Sequence, residues 1–353
     1  MTTELPHDLA PSTAQLTVGR ISAGMESQLM PMIGQILRII RDISGKSEHM
    51  SVGDLVEFIS GEPTMMGRIV TIASSVGYNS SGIEINSIHH AISLIGFDRV
   101  RTLAVSILLL ESAHSDYTSA VNRELAGSSL IAGLVAAEMS RHCNAADSEL
   151  AFLCGALRNY GRMLAATFLA EEYALAIKPA PYVSLEESFQ SVFGLTTLEL
   201  GRQLMDNMLL PKVILNTFVP LSLQDRRHCS ASASTALIGM ADFGQRFAEL
   251  LPGKELDQHN FERRIESLSR EYDVSFYLSR NEIRDVIHHL VGVLECFRYR
   301  AGSYVGSVNM FRRLETLAAE RVLPVTLDVA LPPVAPSLRP SQPVAEPADS
   351  FEI

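Results

Sequence analysis

The residues most able to do chemistry sit together in "CGALRNYGRML", Cys154 to Leu164, where Arg158 and Asn159 interrupt an otherwise apolar helical stretch. A guanidinium and an amide aimed at an interior must either reach solvent or serve a site. Other candidates fail on spacing. The pairs His89-His90 and His288-His289 are adjacent, so on a helix they point about 100° apart and share no face. Neither has the i, i+4 spacing of a helical zinc site, and a half-buried structural role is expected for both. His142-Cys143 beside Asp147 offers too few ligands. There is no G-x-S-x-G, P-loop or G-x-G-x-x-G, and the "GSS" at Gly127 opens a helix. Arg226-Arg227, Arg263-Arg264 and Arg312-Arg313, with Arg99 and Arg101, have forks that match phosphate geometry. In an acidic chain such doublets read first as solvated faces paired with Asp and Glu. Met65, Met66, Met205 and Met208 read as packing, not as a cofactor box. No metal and no cofactor is expected.

The elements that must position these residues are helices. The chain has 353 residues, 47% hydrophobic and 20% charged, enough for about two domains at roughly 150 residues each. Its net charge of −11 argues against a DNA-binding face. Cys143, Cys154, Cys229 and Cys296 form no C-x-x-C pair and read as reduced core thiols. The opening "MTTELPHDLAPSTAQ" carries acids and prolines where a secretory signal has basic and apolar regions. The run "LAVSILLL" is too short for a bilayer, which needs about 20 residues. The expectation is a cytoplasmic chain without membrane insertion.

Capping boxes mark helix starts at Ser184/Glu187, Thr196/Glu199 and Ser279/Glu282, with a weaker one at Ser51/Asp54. Pro63 suits a first turn, Ser87 opens a helix that Gly96 stops, and Asp98 opens the next. Ile36, Ile39, Ile40 and Ile43 share a helical face, as do Ile283, Ile287, Leu290 and Leu294. "YDVSFYL", Tyr272 to Leu278, is the one alternating segment, a strand or a loop. The fold class is all-α. The expected organisation is a disordered tail over 1–24, an N-terminal bundle over 25–116, a second bundle over 117–250, a helical extension over 251–324 and a Pro/Ala-rich disordered tail over 325–353. The extension could pack back on the core or form a homodimer surface.

The order of motifs resembles an HDOD domain over roughly residues 25 to 250. The residues that carry the likeness are Leu29 to Pro31, Glu62-Pro63, Ala73-Ser74-Ser75, the "INSIHHAISLIG" helix from Ile85 to Gly96, and "FGLTTLELGRQLMDNMLLP" from Phe193 to Pro211. The resemblance implies two packed helical bundles, the second related to the HD phosphohydrolases. In those enzymes an early His, a His-Asp pair in "Leu-His-Asp-x-Gly" and a later Asp hold a metal. Here the pair is Arg158-Asn159, the early His falls on Ser128, a further family His falls on Thr197, and the last Asp stands as Asp242. A guanidinium repels metals and does not coordinate them. The expectation is therefore a non-catalytic bacterial signalling protein, a pseudoenzyme that works by protein–protein interaction with partners in a pathway. The alternative is a sensor that holds a nucleotide, cyclic dinucleotides included, in the degenerate pocket; residual phosphohydrolysis would need ligands placed elsewhere. Arg158 either pairs with Asp242 or snorkels to solvent.

Overall fold

In the computed structural model the described residues are 12–28, 51–61, 63–74, 79, 82–112, 120–178, 182–207, 210–252, 257–300 and 308–319. All fall within a compact unit spanning Met1–Glu320; a second unit, Arg321–Ile353, lies outside the described residues, and with it the expected tail. Also outside are residues 1–11, the Ile36–Ile43 face, Leu29 to Pro31, Glu62, Ser75, Met208 and residues 113–119, where the boundary between the two expected bundles falls.

The expected caps form. Ser51 and Asp54 close a reciprocal box at the start of α2 (Val52–Ser60), which buries Leu55, Phe58 and Ile59. Pro63 begins α3 (Pro63–Ala73). Ser87 accepts from His90 N at the head of α4 (Ile88–Ile95), and Gly96 ends it at φ 98°, where a side chain would be strained. α5 (Phe97–Ser112) follows, and these four helices pack on one another.

The first departure is at the N-terminus, where the described part of the expected tail over 1–24 is helical from residue 13. Residues Thr13–Gln28 form α1, with Ile21 and Met25 buried. Thr17 Oγ1 donates to Phe193 O at 3.0 Å, and Gly24 lies so close to the Phe168 ring that a Cβ would meet it at 2.5 Å. Arg20 pairs with Glu172 at 2.7 Å. Ala14, Val18, Ile21 and Met25 make the apolar stripe. It is too narrow to announce a helix in the sequence, and small residues at 17 and 24 do the rest by allowing close approach.

The centre is α6 (Ala120–Cys143), buried nearly all round. It packs against α7 (Ser148–Leu157) and α14 (Ala233–Leu250). Backbones come close because Gly155 has no side chain: a Cβ there would lie 2.6 Å from Ala132 O. Around this layer run α8 (Tyr160–Phe168), α9 (Ala170–Ala176), α10 (Leu185–Phe193), α11 (Thr197–Asn207), α12 (Lys212–Leu215) and α13 (Leu223–Arg227). Glu187 closes the cap of α10, and Glu199 accepts from Thr196 N at 2.9 Å.

Beyond 251 come α15 (Gln258–Ser269), α16 (Arg280–Arg300) and α17 (Asn309–Ala319). They pack back on the same core: α15 on α14, α16 on α3 and α6, α17 on α16 and α6. The open choice for the extension thus falls on the core. Ile283, Ile287, Leu290 and Leu294 are all buried. "YDVSFYL" holds a 3-10 turn at Val274–Phe276, and no strand occurs among the described residues. Met66 is exposed at 37%, so it is not a packing residue, while Met65 and Met205 are. Cys143, Cys154 and Cys229 are free thiols, with burial raising Cys154 to about 12 and Cys229 to about 11. Among the described residues no helix is long and apolar enough to cross a membrane.

Candidate functional site

Arg158 and Asn159 form the two-residue turn between α7 and α8. Asn159 sits at φ −86° and ψ 0°, a sparsely populated region where site residues recur. The sequence places the turn by ending the apolar run of α7 at Leu157, and Gly161 permits the chain to pass α11. A Cβ on Gly161 would meet Gly201 N at 2.5 Å and Thr197 O at 2.9 Å.

Arg158 does not snorkel. It is 2% exposed, and its fork is filled from three directions. Nε donates to Gln245 Oε1 at 2.6 Å, Nη1 to Thr217 O, and Nη2 to Val219 O at 2.8 Å and to Asp242 Oδ1 at 3.1 Å. Burial pulls its pKa below the usual guanidinium value, and the Asp242 charge opposes that pull. A guanidinium stays charged in proteins regardless, so this is a buried cation with nearly every donor used.

Asp242 is the acceptor node. Its Oδ2 also receives Arg226 Nε at 2.9 Å and the Tyr272 hydroxyl at 2.6 Å. Burial, then Asp242, push the Tyr272 pKa well up, so the phenol keeps its proton and donates. Glu271 extends the network to Arg226 at 3.4 Å and Arg246 at 2.6 Å. Both guanidiniums lie over the Tyr272 ring, at 5.8 and 6.0 Å from its centroid. The loop carrying Thr217 and Val219, the α13 segment and the 270–278 segment are thereby tied over one buried arginine.

The other expected site residues divide. Asn159 is fully buried and its Nδ2 reaches Ser128 Oγ at 3.4 Å, a long hydrogen bond; its Oδ1 accepts nothing from the described residues. Thr197, also buried, bonds elsewhere. Its N and Oγ1 donate to Glu186 at 2.7 and 2.6 Å, which caps α11. The structure thus joins Arg158 to Asp242 and Asn159 to Ser128, and gives Thr197 a different partner.

These residues do not fit a metal. The single carboxylate of the five, Asp242, has its oxygens occupied by two guanidiniums and a phenol, and a cation there would face Arg158. Among the described residues no group of three or more His, Cys, Asp or Glu side chains could hold a metal ion. No reaction step follows from such a group. The arrangement can fasten segments together.

Sequence reasoning missed Gln245, Tyr272 and Glu186. Gln245 carried a signal, because it is three residues after Asp242 and so on the same face of α14; Tyr272 carried none. Of the doublets expected to be solvated faces paired with Asp and Glu, Arg226 does pair with Asp242 but is largely withdrawn from solvent, whereas Arg227, Arg263, Arg264 and Arg312 are exposed. Of the histidines, His90 is half-buried, but His89, His288 and His289 are exposed, contrary to expectation.

In sequence, residues 30–219 match the HDOD domain family. No curated protein matches the chain. In structure the chain is similar to an HDOD domain protein with unknown function from Geobacter sulfurreducens, with a TM-score of 0.56 and 15% identity over 82% of this chain and 98% of that one. It is also similar to a protein described as "putative phosphohydrolase" from Shewanella amazonensis SB2B, with a TM-score of 0.54 and 14% identity over 83% and 98%. At such identities the likeness establishes the fold alone, an all-helical bundle.

Proposed function

The chain belongs to the HDOD domain family, and from that premise we propose that it is a non-catalytic regulatory protein acting as a protein-interaction scaffold. Family membership supports a signalling-related role. The scaffold part is carried by one observation: Arg158, which the family resemblance puts at the His of the metal-binding pair, is buried with four of its five donors held by Gln245, Thr217, Val219 and Asp242. A nucleotide phosphate would have to displace those acceptors one by one. A buried pair broken on one side is costly, so the filled state favours rigidity over ligand exchange.

The test is a thermal-shift titration with cyclic mono- and dinucleotides, linear nucleotides and divalent metals. A ligand at about 100 times its Kd adds roughly 2.7 kcal/mol to the folded state. The expected outcome is no shift with any of them. Stabilisation of the wild type but not of Arg158→Lys by one nucleotide would replace the scaffold with a sensor, and stabilisation by a divalent metal would reopen phosphohydrolysis.

A further inference from the structure

α5, α6, α7 and α16 leave between them a cavity of about 280 Å³, none of whose lining residues belongs to the Arg158 network. Leu134, Ala137, Phe152 and Val293 make its buried apolar floor. A polar residue stands about one turn from each of the last three on the same helix: Arg141 after Ala137, Glu149 before Phe152 and His289 before Val293. The space exists because Ala137, Thr102 and Ser148 are short where longer side chains would fill it. An apolar depth with a few convergent polar groups is the form of a small-molecule site.

The charges at the mouth decide what fits. Glu149 accepts two hydrogen bonds from the Arg101 fork, and Asp98 lies 3.5 Å from the same guanidinium. Glu138 is held by Arg141 and, from α16, by His289 Nε2 at 2.9 Å. Those pairs answer all three carboxylates and leave one cation over. Arg99 lines the cavity, is exposed, and has no hydrogen bond or ion pair among the described residues. An exposed arginine alone is ordinary. At the lip of an apolar cavity it supplies a single positive charge that the surrounding acids do not consume, on a fork that matches a carboxylate. A phosphate dianion would bring a second negative charge against Asp98 and Glu149, which like-charge repulsion disfavours. The volume lies just under the range of about 300–1,000 Å³ that holds drug-sized ligands, so the apolar body must be small.

We propose that this cavity binds a small aromatic or branched aliphatic monocarboxylate, with its carboxylate on Arg99 and its apolar body on Leu134, Phe152 and Val293. Such a ligand touches α5, α6, α7 and α16 at once, so it favours their packed arrangement and gives the protein a small-molecule input. The site goes beyond the scaffold reading and does not depend on it.

The experiment is saturation-transfer NMR on the full chain with benzoate, phenylacetate and isovalerate, each titrated beside its neutral amide. At least one acid should bind saturably, with its amide weaker by about tenfold or more, the range set by hydrogen bonds to a charged group. Arg99→Gln should weaken that acid by a similar factor and Arg99→Lys by less. Thr102→Phe, which fills the cavity, should remove binding while circular dichroism and the urea midpoint stay unchanged. If that variant does not fold, Arg99→Gln alone decides, since an exposed side chain without partners can be replaced without loss of the fold. Binding of none of the three acids would overturn the proposal. Equal binding of acid and amide, or binding indifferent to Arg99→Gln, would do the same. Tighter binding of phenyl phosphate than of phenylacetate would overturn the carboxylate assignment. The scaffold reading fails by a different result, stabilisation by a nucleotide.

Discussion

At the scale of single residues, Arg158 is held by charge-assisted hydrogen bonds, and their removal has a measurable cost. Arg158→Ala would leave Thr217 O and Val219 O without their donor and Asp242 with Arg226 and Tyr272 only. One-sided breakage of buried pairs costs about 3–5 kcal/mol. Because Asp242 keeps two partners, the low end is expected, as a drop in the urea midpoint. Glu138 makes a second prediction. Burial opposes its ionisation, but His289 and Arg141 prevail and hold its carboxyl down to about 2. Its folded pKa lies below its unfolded one, so its contribution is present above the unfolded value and is lost as pH falls through the folded one. Glu138→Gln should cost on the order of 1–3 kcal/mol at pH 7, and urea unfolding should show that gap closing as pH approaches 2.

At the scale of elements, the helix starts read well because a cap is a local event: Ser184 and Glu187 meet three residues apart whatever surrounds them. α1 reads poorly because its identity is a matter of packing. Thr17 and Gly24 acquire meaning only against Phe193 and Phe168, about 150 residues away in sequence. If residues 13–24 belong to the core, Ile21→Ala should destabilise the whole protein by about 2–4 kcal/mol, in the range of buried Ile→Ala changes, with loss of the thermal midpoint. An exposed tail would give no change. The 270–278 segment shows the reverse failure, because alternating Val274, Phe276 and Leu278 resemble a strand while a 3-10 turn buries only Phe276 and Leu278 and leaves Val274 87% exposed.

At the scale of the whole molecule, one continuous apolar core joins helices from both expected bundles and from the extension. The buried Arg158 network lies within that core, tying together the 217–219 loop, α13, α14 and the segment after α15. The absence of any nucleotide-induced thermal shift is expected at this scale. Opening the site for a phosphate would loosen several packed segments at once, and a ligand shifts an equilibrium only by its differential affinity for the two states. The net charge of −11 works in the same direction, since an acidic molecule repels polyanions at long range.

The sequence alone determined the all-helical class, the caps, the apolar face of α16, and the place of Arg158-Asn159 at the end of an apolar helical run. These follow from residue types at short separations, where the chain itself sets the geometry. Only the tertiary structure decided that Arg158 turns inward to Asp242, that Tyr272 and Gln245 complete its surroundings, that Thr197 belongs to Glu186, and that α1 and α17 join the core. Each of those depends on partners far apart in sequence. Whether a guanidinium reaches solvent or a carboxylate is settled by what the folded chain places around it.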